Sequence, residues 1–258
     1  MNENHFKFSL SVVILPLLFV LALWTVYWFE IRFAYNLTDF GIYPRTFQGL
    51  RGIICSPFLH GSLEHLYSNT IPAFLLIASL RYFYRENFWN VLFFGILFSG
   101  LLTWSIARES YHIGASGLIY VLVSFIFFKG LRSQYYRLVA LSLVIIMFYG
   151  GMIWYVFPNI EEGISWEGHL AGLLTGSGMA VFYKTPDYNQ FLKYDWEKPD
   201  YSPEDDKFMA RFNENGYFVN VPKPEIVEEI VEQIPAQHST SEGGFRIVYQ
   251  FIKDEKEE

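Results

Sequence analysis

Three stretches of the chain, residues 10–29, 88–107 and 138–160, are apolar and contain no Asp, Glu, Lys or Arg. A helix rising 1.5 Å per residue needs about 20 such residues to cross a hydrocarbon core of roughly 30 Å, where every backbone N–H and C=O must be paired within the segment. The class that follows is an all-α, polytopic membrane protein. Composition agrees, because 52% hydrophobic and 20% aromatic residues with only 17% charged is too apolar for an ordinary water-soluble chain. Shorter or polar-bearing apolar segments lie at about 62–80, 113–128 and 166–183. Each crosses only if its ends take in polar residues or it packs among the others, which makes six transmembrane helices the expected count. Residues 10–29 read as an anchor rather than a cleaved signal peptide, since the run is too long for a signal h-region and no small-x-small site follows.

With six spans both termini share a side. Lys7, Arg81, Arg85, Lys129, Arg132, Arg137 and Lys184 fall on that side, against Arg32, Arg45, Arg51 and Arg108 on the other, so both termini are expected in the cytoplasm. The expected location is a bacterial plasma (inner) membrane. Trp24, Trp28 and Trp154 fall near expected span ends, where indole rings favour the interface. Residues 1–183 hold ten Lys/Arg and nine Asp/Glu, whereas 184–258 hold nine and seventeen. The chain thus divides into a six-span domain, 1–183, and an acidic cytosolic tail, 184–258, either a small α+β module or partly disordered. In the tail 224–234 is helix-like, and 217–221 and 245–252 are strand-like. Without a basic cluster no nucleic-acid partner is expected. The single Cys55 excludes an intrachain disulfide or a Cys-based zinc site. Gly-Ser-Leu-Glu-His65 lacks the His-Glu-x-x-His order, so neither a metal nor a cofactor is expected.

Polar side chains inside a bilayer are costly, so His65 and Asn69 on the second span, Ser116 on the fourth and His169 on the sixth need a reason. All three spans run from outside to inside, and each carries its polar residue within about two turns of its outer end. The four therefore lie at similar depth. Ser62 is placed to cap the second span, and His65 and Asn69, four apart, share a helical face. Gly114 and Gly117 allow a tight turn that leaves the Ser116 hydroxyl beside the free N–H groups of a helix start, with Tyr120 on the same face. His169, Gly172 and Gly176 form a face that another backbone can approach closely. A serine hydroxyl becomes a nucleophile when a neutral imidazole takes its proton, and the developing oxyanion needs preorganised donors.

These motifs, Gly-Ala-Ser116-Gly117, His60-x4-His65-x3-Asn69 and Gly-His169-Leu-Ala-Gly172-Leu-Leu-Thr-Gly176, resemble the rhomboid intramembrane serine proteases over about residues 10–183. The resemblance implies Ser116 as nucleophile, His169 as base, His65 and Asn69 as oxyanion-hole donors, and Tyr120 as a ring packed on the catalytic His. It also implies single-span membrane proteins as substrates, cut near the outer face, with the lipid bilayer as surroundings. Where the family often has Trp-Arg in the first outer loop, here 32–59, this chain has Leu50-Arg51. Ser56 stands where some relatives have another His, and no role is assigned to it.

Blander readings apply to single residues. A lone transmembrane Ser usually bonds a carbonyl one turn back, and a lone His or Asn can be interhelical glue. Four at one depth beside glycine-lined faces favour a site. His60, five residues from His65, reads as structural, and His5, His112 and His238 as solvated loop or tail residues. Glu64 and Glu167 point off the faces of the neighbouring histidines, while Glu109, Glu161 and Glu162 lie in outer loops, so the base is expected to lack a carboxylate partner. The competing class is a catalytically inactive rhomboid-like protein that binds membrane clients, although such proteins lack the paired Ser or His. A transporter would call for an inverted repeat or broken spans, and neither is present in the sequence.

Overall fold

The six apolar segments become six long helices. The computed structural model describes residues 6, 8–161, 163–184, 194, 201–202, 206, 208–213 and 215–219. The chain divides into two units, Met1–Lys193 and Tyr194–Glu258. The first contains α1 (Ser11–Phe33), a short α2 (Gly52–Cys55), α3 (Leu63–Phe83), α4 (Phe88–Ile106), α5 (Ser116–Ser133), α6 (Tyr136–Tyr149) and α7 (Trp166–Phe182). Among the described residues there are no strands, only isolated bridges at Ile42–His112 and Phe212–Phe218.

Among the described residues four helices are both long and apolar enough to cross a membrane: Ser11–Phe33, Phe88–Ile106, Ser116–Ser133 and Tyr136–Val156. The fourth span expected from sequence therefore extends beyond 128, taking in Lys129 and Arg132. The other two long helices dilute their apolarity: α3 carries Glu64, His65, Asn69 and Arg81, and α7 has 17 residues that include Glu167 and His169. The stretch 138–160 is not one uniform helix, because at Gly150, followed by Gly151, α6 tightens into a 3-10 segment, Gly150–Val156. Glycine favours neither helix nor any competing side-chain packing, so the backbone tightens there at little cost. Helix α1 runs past 29 to Phe33. Trp24 accordingly lies inside the helix rather than at its end, and its indole donates to Thr70 Oγ1 at 3.1 Å.

Helix α5 is the axis of the bundle, packing on α3, α4, α6 and α7. In its apolar window 61% of residues are buried, against 17% for α1. Its Leu118, Leu122, Phe125 and Ile126 form a core with Leu76, Leu80 and Phe88. The outward faces expose Leu17, Leu21, Phe93, Met147 and Phe148, a composition suited to lipid. Lipid provides little hydrophobic drive for helices to associate, so small residues and interhelical hydrogen bonds hold the bundle. At the end of α5 away from Ser116, the buried Lys129 ammonium donates to the carbonyls of Ala180 and Tyr183, placing a cation at the negative end of α7.

The connection from α1 to α3 is pinned at its polar points. The Arg45 backbone N–H donates to Trp104 O at 3.0 Å and its Nη1 to Ala107 O at 2.8 Å, while the Trp104 indole returns a bond to Thr46 O at 2.9 Å. Arg51, beside Leu50, lies 4.3 Å over the Phe40 ring and donates to Asp39 O at 2.9 Å. Arg51 thus ties the loop to itself without a Trp before it, while Arg45 and Thr46 tie it to the end of α4. In the second unit the described part is a 3-10 turn, Met209–Arg211, followed by the Phe212–Phe218 bridge. The strand expected at 217–221 is described only to 219 and forms no strand there, and the segments 224–234 and 245–252 lie outside the described residues.

Candidate active site

The site grows from three helix starts. At α3, Ser62 is in extended conformation and its hydroxyl accepts the His65 N–H at 3.1 Å, fixing the turn that carries His65, with Asn69 one turn on. At α5, Gly114 has φ +111°, a region that favours glycine, and its N–H donates to Ser56 O at 2.8 Å. Ser56 therefore has a part that the sequence did not reveal, played by its backbone. A Cβ at 114 would lie 2.6 Å from the His65 ring and 3.7 Å from Asn69 Nδ2, so both side chains abut the turn that opens α5. Ser116 is the first residue of α5 and half-buried, and its N–H belongs to the first turn, where no intrahelical acceptor exists. Asn69 Nδ2 is buried and has no hydrogen-bond partner among the described residues.

At α7, Ser165 caps the helix by accepting the Gly168 N–H at 3.2 Å. One face of α7 lies flush on α5: a Cβ at Gly172 would be 2.3 Å from Gly117 O and 2.8 Å from Tyr120 Cβ, and one at Gly176 would be 2.2 Å from Val121 O. Only glycine allows this approach. The buried His169 ring stacks on Tyr120, with centroids 4.4 Å apart and planes 17° apart. Tyr120 OH donates to Met152 O at 2.6 Å, and His169 Nδ1 is 2.9 Å from Tyr155 O. A carbonyl only accepts, so Nδ1 carries the proton and Nε2 of the neutral ring is left as an acceptor. A small cavity of about 40 Å³ borders Ser116, with Ser99, Thr103, Gly114, Gly117 and Ser165 in its wall.

Ser116 opens α5, His169 lies on the glycine-faced α7 packed against it, and His65 and Asn69 abut the turn before Ser116; residues 48–185, over half the chain, match the Rhomboid domain family model. The chain belongs to the rhomboid family. Uncharacterized proteins of Mycobacterium tuberculosis and Mycobacterium bovis are each 34% identical to it over 160 residues, covering 57% of this chain and 65% of theirs. One of Mycobacterium leprae is 30% identical over 161 residues, covering 59% and 64%. The rhomboid chain thus spans just under two thirds of the length of these relatives. Family membership, with four helices among the described residues long and apolar enough to cross a membrane, makes it an integral membrane protein of the intramembrane protease family.

The rhomboid site differs from the sequence reading at His112. That residue is not solvated but buried, with Nδ1 2.6 Å from Ser165 Oγ and Nε2 3.0 Å from Arg108 O. Its loop is folded back onto the start of α7, which removes the imidazole from water. Burial pushes its pKa down, against the Arg108 carbonyl and Glu167, with the Arg108 charge adding to the depression. His60 is also buried, its ring 5.1 Å from that of His65. Glu167 is buried and turned to Arg108, with Oε2 3.5 Å from Nη1. Glu109 is exposed, 3.9 Å from Arg45. His5, His238 and Glu162 lie outside the described residues. The carbonyls of Met152 and Tyr155 carry no side-chain signature, and only Gly150-Gly151 hinted that the segment departs from an ordinary helix. Among the described residues no three His, Cys, Asp or Glu converge as a metal-binding group.

Proposed function

We propose that this rhomboid is an intramembrane serine endopeptidase that cuts single-span membrane proteins near the outer face through a Ser116–His169 dyad. Domain 1–183 crosses the bilayer six times with both termini in the cytoplasm, and 184–258 is a cytosolic tail. Ser116 Oγ attacks the scissile carbonyl as its proton passes to His169 Nε2. The oxyanion takes hydrogen bonds from His65, Asn69 and the Ser116 N–H. Collapse breaks the C–N bond as Nε2–H protonates the leaving amine. A water then attacks the acyl-enzyme, giving its proton to Nε2, and the freed serine recovers that proton. The cavity that borders Ser116 is large enough for a water, although His169 is not in its wall. Tyr120 holds the imidazole plane, and Gly114 and Gly172 allow the close approaches, whereas a Cβ at Gly117 would meet only Gly168 O at an ordinary 3.6 Å.

The observation that carries this reading is the His169 ring, stacked on Tyr120 and committed through Nδ1 to the Tyr155 carbonyl, which reserves Nε2 for accepting a proton. The unpartnered Asn69 Nδ2 supports it, since leaving a buried donor unsatisfied costs about 1–3 kcal/mol and calls for a reason. The test is labelling of the detergent-purified protein with a fluorophosphonate or isocoumarin probe, together with cleavage of a reporter whose transmembrane segment is helix-destabilised. Wild type is expected to label and cleave, while Ser116→Ala and His169→Ala do neither despite normal insertion. A folded wild type inert to both probe and reporter would instead identify a client-binding relative without protease chemistry.

A further inference from the structure

We propose that His112 is a positioning residue of this site, latching the turn that presents Ser116 to the first turn of the helix that carries His169. The inference rests on the protease reading. His112 stands four residues before Ser116, and Ser165 four residues before His169. Their side chains meet, Nδ1 to Oγ, at 2.6 Å. Arg108 O, which only accepts, lies 3.0 Å from Nε2, so Nε2 carries the proton and the Ser165 hydroxyl donates to Nδ1. Ser165 then faces inward along α7, its Oγ accepting the Gly168 N–H at 3.2 Å and its carbonyl the His169 N–H at 3.1 Å. On the other side the His112 backbone pairs with Ile42 in both directions, at 2.9 and 3.0 Å, tying the latch to the first outer loop.

A parallel tie runs through Arg108. Its N–H donates to Glu167 Oε1 at 3.2 Å and its Nη2 to Ile164 O at 2.6 Å. The α4–α5 connection thus grips the start of α7 at two points, and the one nearer to Ser116 is His112. A neutral imidazole offers one donor and one acceptor, and here each meets a partner of the opposite kind, with Ser110 Oγ also 3.4 Å from Nε2. No other ring of that size joins a carbonyl and a hydroxyl in this manner without introducing charge. His112 touches neither Ser116 nor His169 by any hydrogen bond. It acts through the two short chain segments, and a slip of about 1 Å between them is enough to cost on the order of 10²-fold in rate.

The test measures kcat, KM and fluorophosphonate labelling rate per folded molecule, with thermal melting alongside, for the full-length protein carrying His112→Ala, His112→Asn, His112→Gln or Ser165→Gly. Glycine is nearly as good an N-cap as serine, so Ser165→Gly removes the latch while sparing the helix start. The expected result for His112→Ala is a loss of about 10²-fold in kcat and labelling with KM within about threefold. Asn, whose Oδ1 can accept the Ser165 hydroxyl, should restore about tenfold over Ala, and Gln should not. His112→Ala combined with Ser165→Gly should be no slower than His112→Ala alone. A lower melting temperature with wild-type kcat in the folded fraction overturns the proposal, as does Asn no better than Ala. If His112→Ala does not insert, wild-type kcat in Ser165→Gly overturns it equally. A wild type that neither cleaves nor labels removes the protease reading itself, and the latch with it.

Discussion

Gly172→Ala is the smallest change that tests whether α5 and α7 must touch. The added Cβ would meet Gly117 O at 2.3 Å and Tyr120 Cβ at 2.8 Å, where ordinary contact begins at 3.4 Å. Neither neighbour can escape by changing rotamer, because one is backbone and the other is fixed to it. The helices must therefore separate by about 1 Å, at a point adjacent to Ser116 on one side and one turn from His169 on the other. Displacement of that size costs on the order of 10²-fold in rate, and overpacking costs about 1–3 kcal/mol in stability. Gly172→Leu should be more severe on both counts. Gly178→Ala is the control, since a Cβ there meets nothing within 4 Å and alanine favours the helix by about 1 kcal/mol. The assay is the initial rate of reporter cleavage by purified protein, normalised to the folded fraction from thermal melting. Folded Gly172→Ala protein working at the rate of wild type and Gly178→Ala would refute the packing argument.

Other expectations follow from the same geometry. His65→Ala or Asn69→Ala should lower turnover by about 10²–10³-fold where the donor dominates, with probe labelling falling in step; unchanged turnover in both and in the double variant would make them interhelical glue. Replacing Glu64, Glu109, Glu161, Glu162 or Glu167 singly by Gln should change the rate by less than about tenfold, far from the roughly 10⁴-fold loss when a triad acid is removed. The His60 imidazole is held down to about 4 from 6.5 by burial, with His65 adding and the Phe58 carbonyl opposing. Between those values the unfolded chain binds more protons, so stability should fall as pH drops through that range. Melting temperature in detergent should decrease from about pH 7.5 to about pH 5, and less steeply in His60→Gln; equal slopes would dissociate His60 from the acid limb. Truncation after Tyr188 should spare intrinsic cleavage, and an inserted but inert truncation would make the tail part of the enzyme.

What the sequence disclosed and what it hid divide along physical lines. Helix periodicity placed His65 with Asn69, Ser116 with Tyr120 and His169 with Gly172, because residues on one face stay together whatever the bundle does. The close approach of α7 to α5 was legible for a related reason: glycine repeats at helical spacing have little other use in lipid. Partners contributed by irregular backbone were not. Nothing in Met152 or Tyr155 as side chains announces that their carbonyls hold Tyr120 and His169. His112 looked like a solvated loop histidine because local sequence does not say onto what a loop folds, and its partner Ser165 is fifty-three positions away. The span boundaries shifted for a simpler reason. Hydropathy marks where apolar residues end, whereas the helices of α1 and α5 continue through Arg32 and Lys129 until a left-handed residue, Ala34 or Gln134, stops them.

The partner of His169, the proposed base, also follows from the medium. A carboxylate facing an imidazole steadies the cation that forms during proton transfer, but taken into an apolar bundle it must be desolvated first, at a cost of several kcal/mol. A backbone carbonyl fixes the same tautomer without a charge to bury. The buried carboxylate of Glu167 is two residues from His169 and yet turned to Arg108, a half-exposed cation at the edge of the site. Its charge is therefore neutralised where water is near, while the His169 ring is oriented by Tyr155 O and by the face of Tyr120. The proposed dyad gives up the electrostatic support of a triad acid, so the ring's orientation has to be held by packing. Weakening that packing, at Tyr120 or at the Gly172 contact beneath it, should then lower the rate on the order of 10²-fold.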